Sequence, residues 1–126
     1  MRKDSNSSTL TFLIVDDDPL IVHALARALR PLGKVSFTTA FNSVHVTAAL
    51  AQPRFIMIDV DLPGVTGLEI ARAIRTIPEL AATDLILMTA HSDEAVLKEG
   101  EALTGIPVLR KPINMERLLD LIKKRA

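Results

Sequence analysis

Three four-residue runs, 12–15 (FLIV), 55–58 (FIMI) and 85–88 (LILM), are apolar at every position. A strand with one wet face alternates apolar and polar residues, whereas a strand covered on both faces is apolar throughout. The runs therefore predict the central strands of a parallel sheet with helices on both sides. Further runs at 35–38 and 107–109 bring the expected number of strands to five.

The stretches between the runs carry helix start and stop signals. Asp18 can cap a helix with Pro19 at its first position, and Gly33 can end it after Arg30. A second helix is expected over 43–51, ended by Pro53. Thr66 and Glu69 have capping-box spacing before a helix that turns Leu68, Ile70, Ala71 and Ile74 inward, with Pro78 closing it. A fourth helix over 92–103 ends at Gly105, and Asn114 opens a last one with Met115, Leu118, Leu119 and Ile122 inward. A βα unit repeated five times gives an α/β fold, an open doubly wound sheet in a sandwich of three layers. Residues 1–9 are polar and Ser-rich and read as a disordered tail, leaving one domain over 10–126.

Fifteen basic and fifteen acidic residues cancel, so no global field draws the chain to nucleic acid or to an anionic membrane. The absence of Cys rules out disulfides and thiolate metal sites and is compatible with a reducing compartment. No apolar run approaches the roughly 18 residues of a membrane span, and the first residues lack the apolar segment of a signal peptide. The cytoplasm is the expected location.

In an open parallel sheet, ligands bind at the carboxyl ends of the strands. The expected strands end in Asp16, Asp17 and Asp18, in Asp59, in Thr89, and in Arg110, Lys111 and Pro112. One of the first three acids suffices to cap a helix, which leaves the others unexplained. Asp59 stands at the edge of the core, where an unpaired charge is costly, so a positive group should face it. Carboxylates crowded at neighbouring strand ends repel one another unless a cation neutralises them, and hard oxygen ligands select Mg²⁺ or a similar ion. Lys111 adds positive charge and the Thr89 hydroxyl can donate a hydrogen bond. This set suits phosphoryl transfer, with Asp59 as the nucleophile.

The segments LIVDDDP (13–19), FIMIDVDLPGVTG (55–67), LMTAH (87–91) and VLRKP (108–112) resemble the receiver domains of two-component response regulators, of the single-domain chemotaxis type. The resemblance covers residues 10–125 and includes the spacing, with Thr89 thirty residues after Asp59 and Lys111 twenty-two after Thr89. It implies a flavodoxin-like (βα)5 fold of strand order 2-1-3-4-5. It further implies a phosphoacceptor switch rather than an enzyme in the ordinary sense. Asp59 would be phosphorylated, with Mg²⁺, from a phosphohistidine on a sensor histidine kinase or histidine phosphotransfer protein.

Carried over to this chain, the resemblance makes Asp17 a direct metal ligand, Asp16 a ligand through water and Asp61 a ligand through its backbone carbonyl, beside Asp59 itself. Thr89 and Lys111 would hold the phosphoryl oxygens, and the Lys111–Pro112 bond would be cis. The signal would pass to a downstream protein or to an output domain outside the given sequence. No direct contact with nucleic acid or membrane is implied, and the state would be a monomer or a phosphorylation-dependent dimer. One position departs from the pattern: Val108 stands where the family has an aromatic residue three before the Lys. The side chains of Asp61 and His91 lie where they could tune the lifetime of the phosphate, although His91 reads equally as a polar loop residue near a helix start; His23 and His45 read as ordinary helix residues.

Two other readings remain open at this point. Asp59-Val60-Asp61 gives the DxD pattern of haloacid-dehalogenase phosphatases, although that family places it on its first strand and Pro63 breaks the continuation. The missing aromatic residue also admits a receiver-like module that accepts no phosphate.

Overall fold

The computed structural model describes residues 10–126, so the tail expected over 1–9 lies outside the described residues. Five strands, β1 (Leu10–Val15), β2 (Gly33–Thr38), β3 (Phe55–Asp59), β4 (Asp84–Thr89) and β5 (Leu109–Arg110), form one parallel sheet in the order β2-β1-β3-β4-β5. The helices are α1 (Pro19–Leu29), α2 (Val44–Ala51), α3 (Gly67–Arg75), α4 (Glu94–Thr104) and α5 (Met115–Arg125).

The apolar runs have their expected cause. Leu13, Val15, Ile56, Ile58, Leu85 and Leu87 point to one face, where they pack with Leu68, Ile70 and Ile74 of α3. Their alternates Phe12, Ile14, Phe55, Met57, Ile86 and Met88 point to the other, against Leu25 and Leu29 of α1 and Leu118 and Ile122 of α5. Each such burial stabilises by roughly 1.5–3 kcal/mol, so neither face tolerates a polar residue.

The caps form as the sequence indicates. The Asp18 side chain accepts from Leu20 N at 2.9 Å, Thr66 and Glu69 make a reciprocal capping box, and the Asn114 side chain accepts from Arg117 N.

Several boundaries differ from expectation. Gly33 does not stop α1; it opens β2, where a Cβ would lie 2.0 Å from the Leu10 carbonyl oxygen, so the close approach of β1 and β2 requires glycine. α2 ends at Gln52 in the left-handed conformation (φ 46°), before Pro53. Pro78 opens a 3-10 turn (Pro78–Leu80) two residues after the C-cap of α3, Thr76. α4 starts at Glu94, capped by Asp93, two residues later than the expected start at 92. Pro107 is not part of β5, since a residue without an N–H cannot donate to a ladder. In α5, Leu118 and Ile122 are buried, while Met115 and Leu119 are only half-buried.

At the amino end of the sheet, Asp84 receives Arg54 Nη1 at 3.0 Å and Arg125 Nε at 3.0 Å, which ties the last turn of α5 to the starts of β3 and β4. Among the described residues, no helix is long and apolar enough to cross a membrane. Burial alone would raise the pKa of Asp84, but the hydrogen bonds and charges of Arg125 and Arg54 outweigh it and hold the carboxyl below its ordinary value. A depressed folded pKa contributes stability above the unfolded value of about 3.9 and loses it as the pH falls through the folded one. Asp84→Asn is therefore expected to cost about 1 kcal/mol at pH 7 in urea denaturation, a deficit that closes below about pH 4. An equal deficit at both pH values would contradict this account.

Candidate functional site

β1 and β3 are neighbours in register, Val15 opposite Ile58, so the residues that follow each pair, Asp16 and Asp59, stand side by side at the carboxyl edge of the sheet. Both are buried, with 1% and 4% of their surface exposed. Asp16 Oδ1 accepts from Asp18 N at 2.9 Å, and Asp59 Oδ1 accepts from Asp61 N at 2.9 Å. Each carboxylate is thus held by the backbone two residues ahead, leaving Oδ2 free to face a cation.

That cation is Lys111. Its backbone N donates to Thr89 O at 2.8 Å, and its side chain crosses the end of β4 to put Nζ 2.9 Å from Asp16 Oδ2 and 3.2 Å from Asp59 Oδ2. The Lys111–Pro112 peptide is cis. Asp17 is exposed, and Asp16, Asp17 and Asp59 each bring a carboxylate oxygen within 4.8 Å of the others. Three carboxylates against one ammonium leave two negative charges when all are ionised. Hard oxygens with surplus negative charge are what a divalent cation such as Mg²⁺ takes as ligands, so the donor set fits that ion.

Burial raises the pKa of Asp59 and the Asp16 charge adds to it, while the Asp61 amide and Lys111 oppose the shift without cancelling it. For Lys111 burial acts to lower the pKa, but the hydrogen bond to Asp16 and the charges of both acids prevail and raise it. The ammonium is the more firmly protonated for being surrounded by acids.

Thr89 is also buried, but its hydroxyl is engaged elsewhere. Thr89 Oγ1 donates to Asp61 Oδ2 at 2.9 Å, and Ala90 N donates to the same oxygen at 3.2 Å. His91 N donates to Thr89 Oγ1 at 3.1 Å, and the exposed His91 imidazole puts Nε2 3.8 Å from Asp61 Oδ1. The site therefore has two parts: a Lys111–Asp16–Asp59 cluster with Asp17 at its rim, and a clamp in which the Asp61 carboxylate holds the end of β4. Sequence reasoning placed Asp61 and Thr89 at the rim but not in contact. The signal was in the register, since Asp59 lies opposite Met88 and two further residues bring Asp61 to Thr89 and Ala90. Gly67 allows the loop between to fold back: its N donates to Val60 O at 3.1 Å, and a Cβ there would lie 2.4 Å from Asp59 O.

Val108 is half-buried against the core under α4, where a Cβ on Gly100 would fall 2.5 Å from Val108 Cγ2. A small residue on the helix and a β-branched one beside the sheet thus bring α4 close to β5.

The family model described as "Response regulator receiver domain" matches residues 12–123. The chain belongs to this family. This receiver domain is 29% identical over 121 residues to the probable chemotaxis protein CheY of Rhizobium etli, covering 94% of each chain. It is 30% identical over 121 residues to the positive alginate biosynthesis regulatory protein of Pseudomonas aeruginosa, covering 93% of this chain but only 47% of that one. The chain thus spans about half the length, or less, of several curated relatives it matches. The solved structure of Vibrio cholerae CheY4 superposes with a TM-score of 0.83 at 25% identity, covering 94% of this chain and 99% of that one. The flavodoxin-like fold and strand order are those the resemblance implies. Receiver domains act as phosphoacceptor switches, and aspartyl phosphorylation and Mg²⁺ binding at an acidic pocket are general properties of the family.

A carboxyl whose folded pKa is raised costs stability above that pKa and costs none below the unfolded value of about 3.9. In metal-free buffer at pH 7, Asp59→Asn is therefore expected to raise the Tm by a few degrees, and the gain should fade toward pH 4. A lower Tm for the variant at pH 7 would mean that the ion pair with Lys111 outweighs burial.

Proposed function

We propose that this domain is a phosphorylation switch in which Asp59 takes a phosphoryl group from a phosphohistidine on a sensor histidine kinase or histidine phosphotransfer protein. An Asp59 carboxylate oxygen forms a bond to phosphorus as the P–N bond of the donor breaks, with the electron pair leaving on the imidazole. The observation that carries the reading is a buried strand-end carboxylate with an ammonium 3.2 Å away and two more acids beside it. Among the described residues, the cation paired with both acids, Lys111, already faces the acceptor and balances charge on the arriving oxygens.

Asp16, Asp17 and Asp59, with the Asp61 backbone carbonyl, are the groups proposed to hold Mg²⁺. When bound, the ion neutralises negative charge on the phosphoryl oxygens. Lys111 Nζ, held between Asp16 and Asp59, is positioned to shift from a carboxylate to a phosphoryl oxygen. The Thr89 hydroxyl supplies a further donor once it leaves Asp61. Val108 replaces an aromatic side chain in the path to the output surface, so the change reaches a downstream protein or a linked output domain through the packing of α4 on β5. The receiver acts in the cytoplasm through proteins alone, as a monomer or a phosphorylation-dependent dimer.

Incubation with Mg²⁺ and acetyl phosphate is expected to raise the intact mass by one phosphate in the wild type and not in Asp59→Asn. Chelating the metal should slow uptake by roughly 100-fold or more. Uptake by Asp59→Asn at the wild-type rate would contradict the assignment.

A further inference from the structure

Asp61 Oδ2 is an anionic oxygen that receives two donors, Thr89 Oγ1 at 2.9 Å and Ala90 N at 3.2 Å. These donors converge where the chain bends at Ala90, just past the end of β4, which brings a hydroxyl and the next amide to one oxygen. A carboxylate oxygen and a phosphoryl oxygen ask the same thing of such a pair, namely charge-assisted hydrogen bonds from the same directions. Two anionic oxygens cannot share the position. The Asp61 backbone stands at the acceptor, since its amide donates to Asp59 Oδ1 at 2.9 Å, while its carboxylate reaches the neighbouring strand.

We propose that the Asp61 carboxylate is a built-in competitor for the phosphoryl group, occupying in the resting domain the Thr89 hydroxyl and Ala90 amide that the group on Asp59 engages. This rests on the acceptor role proposed above for Asp59. Phosphorylation then has an exchange built into it: the arriving oxygen takes both donors, and the carboxylate swings away. It has somewhere to go, because the Asp61 side chain is 32% exposed and its Oδ1 already lies 3.8 Å from His91 Nε2. The exchange holds the resting state off, since an oxygen of weaker charge than a phosphoryl group does not displace a carboxylate from two donors. It also links the end of β4 to the acceptor, so the loop 89–91 changes partners only when Asp59 is modified. Lys111 is not part of the clamp, its Nζ being committed to Asp16 and Asp59.

The test is the rate of phosphate uptake from acetyl phosphate with Mg²⁺, read by intact mass. In this reaction the bond from phosphorus to the acetyl oxygen breaks, a bond from phosphorus to Asp59 forms, and acetate leaves with the electron pair. Asp61→Ala frees both donors and is expected to raise the rate about tenfold. Asp61→Asn keeps an acceptor without the charge and should fall between; it also serves as the variant of record if Asp61→Ala has a lowered Tm. Removing a negative charge could by itself speed attack on an anionic donor, so the same substitutions are made in a Thr89→Ala background. The clamp predicts that the gain from Asp61→Ala shrinks there by at least about threefold, because half of what it releases is already gone. An undiminished gain in that background, or no gain in the wild-type background, would overturn the proposal and leave the acceptor role of Asp59 standing. If the wild type takes up no phosphate at all, the acceptor role falls and the competitor falls with it.

Discussion

Carboxylates at the carboxyl ends of two adjacent buried strands create an electrostatic conflict that the rest of the site resolves. Asp16 and Asp59 are side by side because β1 and β3 are paired in register, and both are nearly removed from water. Left alone their charges would repel each other. Lys111 relieves the conflict from the far side of β4, and it reaches there because its backbone is hydrogen-bonded to the end of that strand. One ammonium does not balance three acids, and the residual negative charge suits a divalent cation.

The sheet makes this geometry rigid. Its central strands are apolar on both faces, so their ends are fixed by packing on two sides rather than one. Gly33 lets β2 close on β1, and Gly67 lets the loop after Asp59 fold against the strand it leaves. At the opposite edge Asp84 joins β4 to Arg54 and Arg125 and so anchors α5. Val108 packs beside α4 at Gly100, where an added Cβ would fall 2.5 Å from Val108 Cγ2, so the helix and the start of β5 lie close without an aromatic side chain between them.

Much of this was legible in the sequence, for identifiable reasons. Runs such as FIMI report burial on both faces directly, and Asp18-Pro19 and Thr66-Glu69 announce helix starts because orphan N–H groups need those side chains. Acids and a Lys at strand ends were recognisable as one site once the parallel order was inferred. Gly33 was misread because a glycine after a helix has two physical uses, ending the helix or allowing close strand approach, and only the paired strand distinguishes them. The clamp of Thr89 and Ala90 on Asp61 was missed because it depends on the β3–β4 register, which no single segment contains.

The central claim is that the phosphoryl group resides on the Asp59 carboxylate and not on the acids around it. Borohydride reduces an aspartyl phosphate to homoserine, so reducing the phosphorylated protein and mapping its peptides by mass spectrometry reads the position directly. The account predicts homoserine in place of Asp59 alone; homoserine in place of Asp16, Asp17 or Asp61 would contradict it.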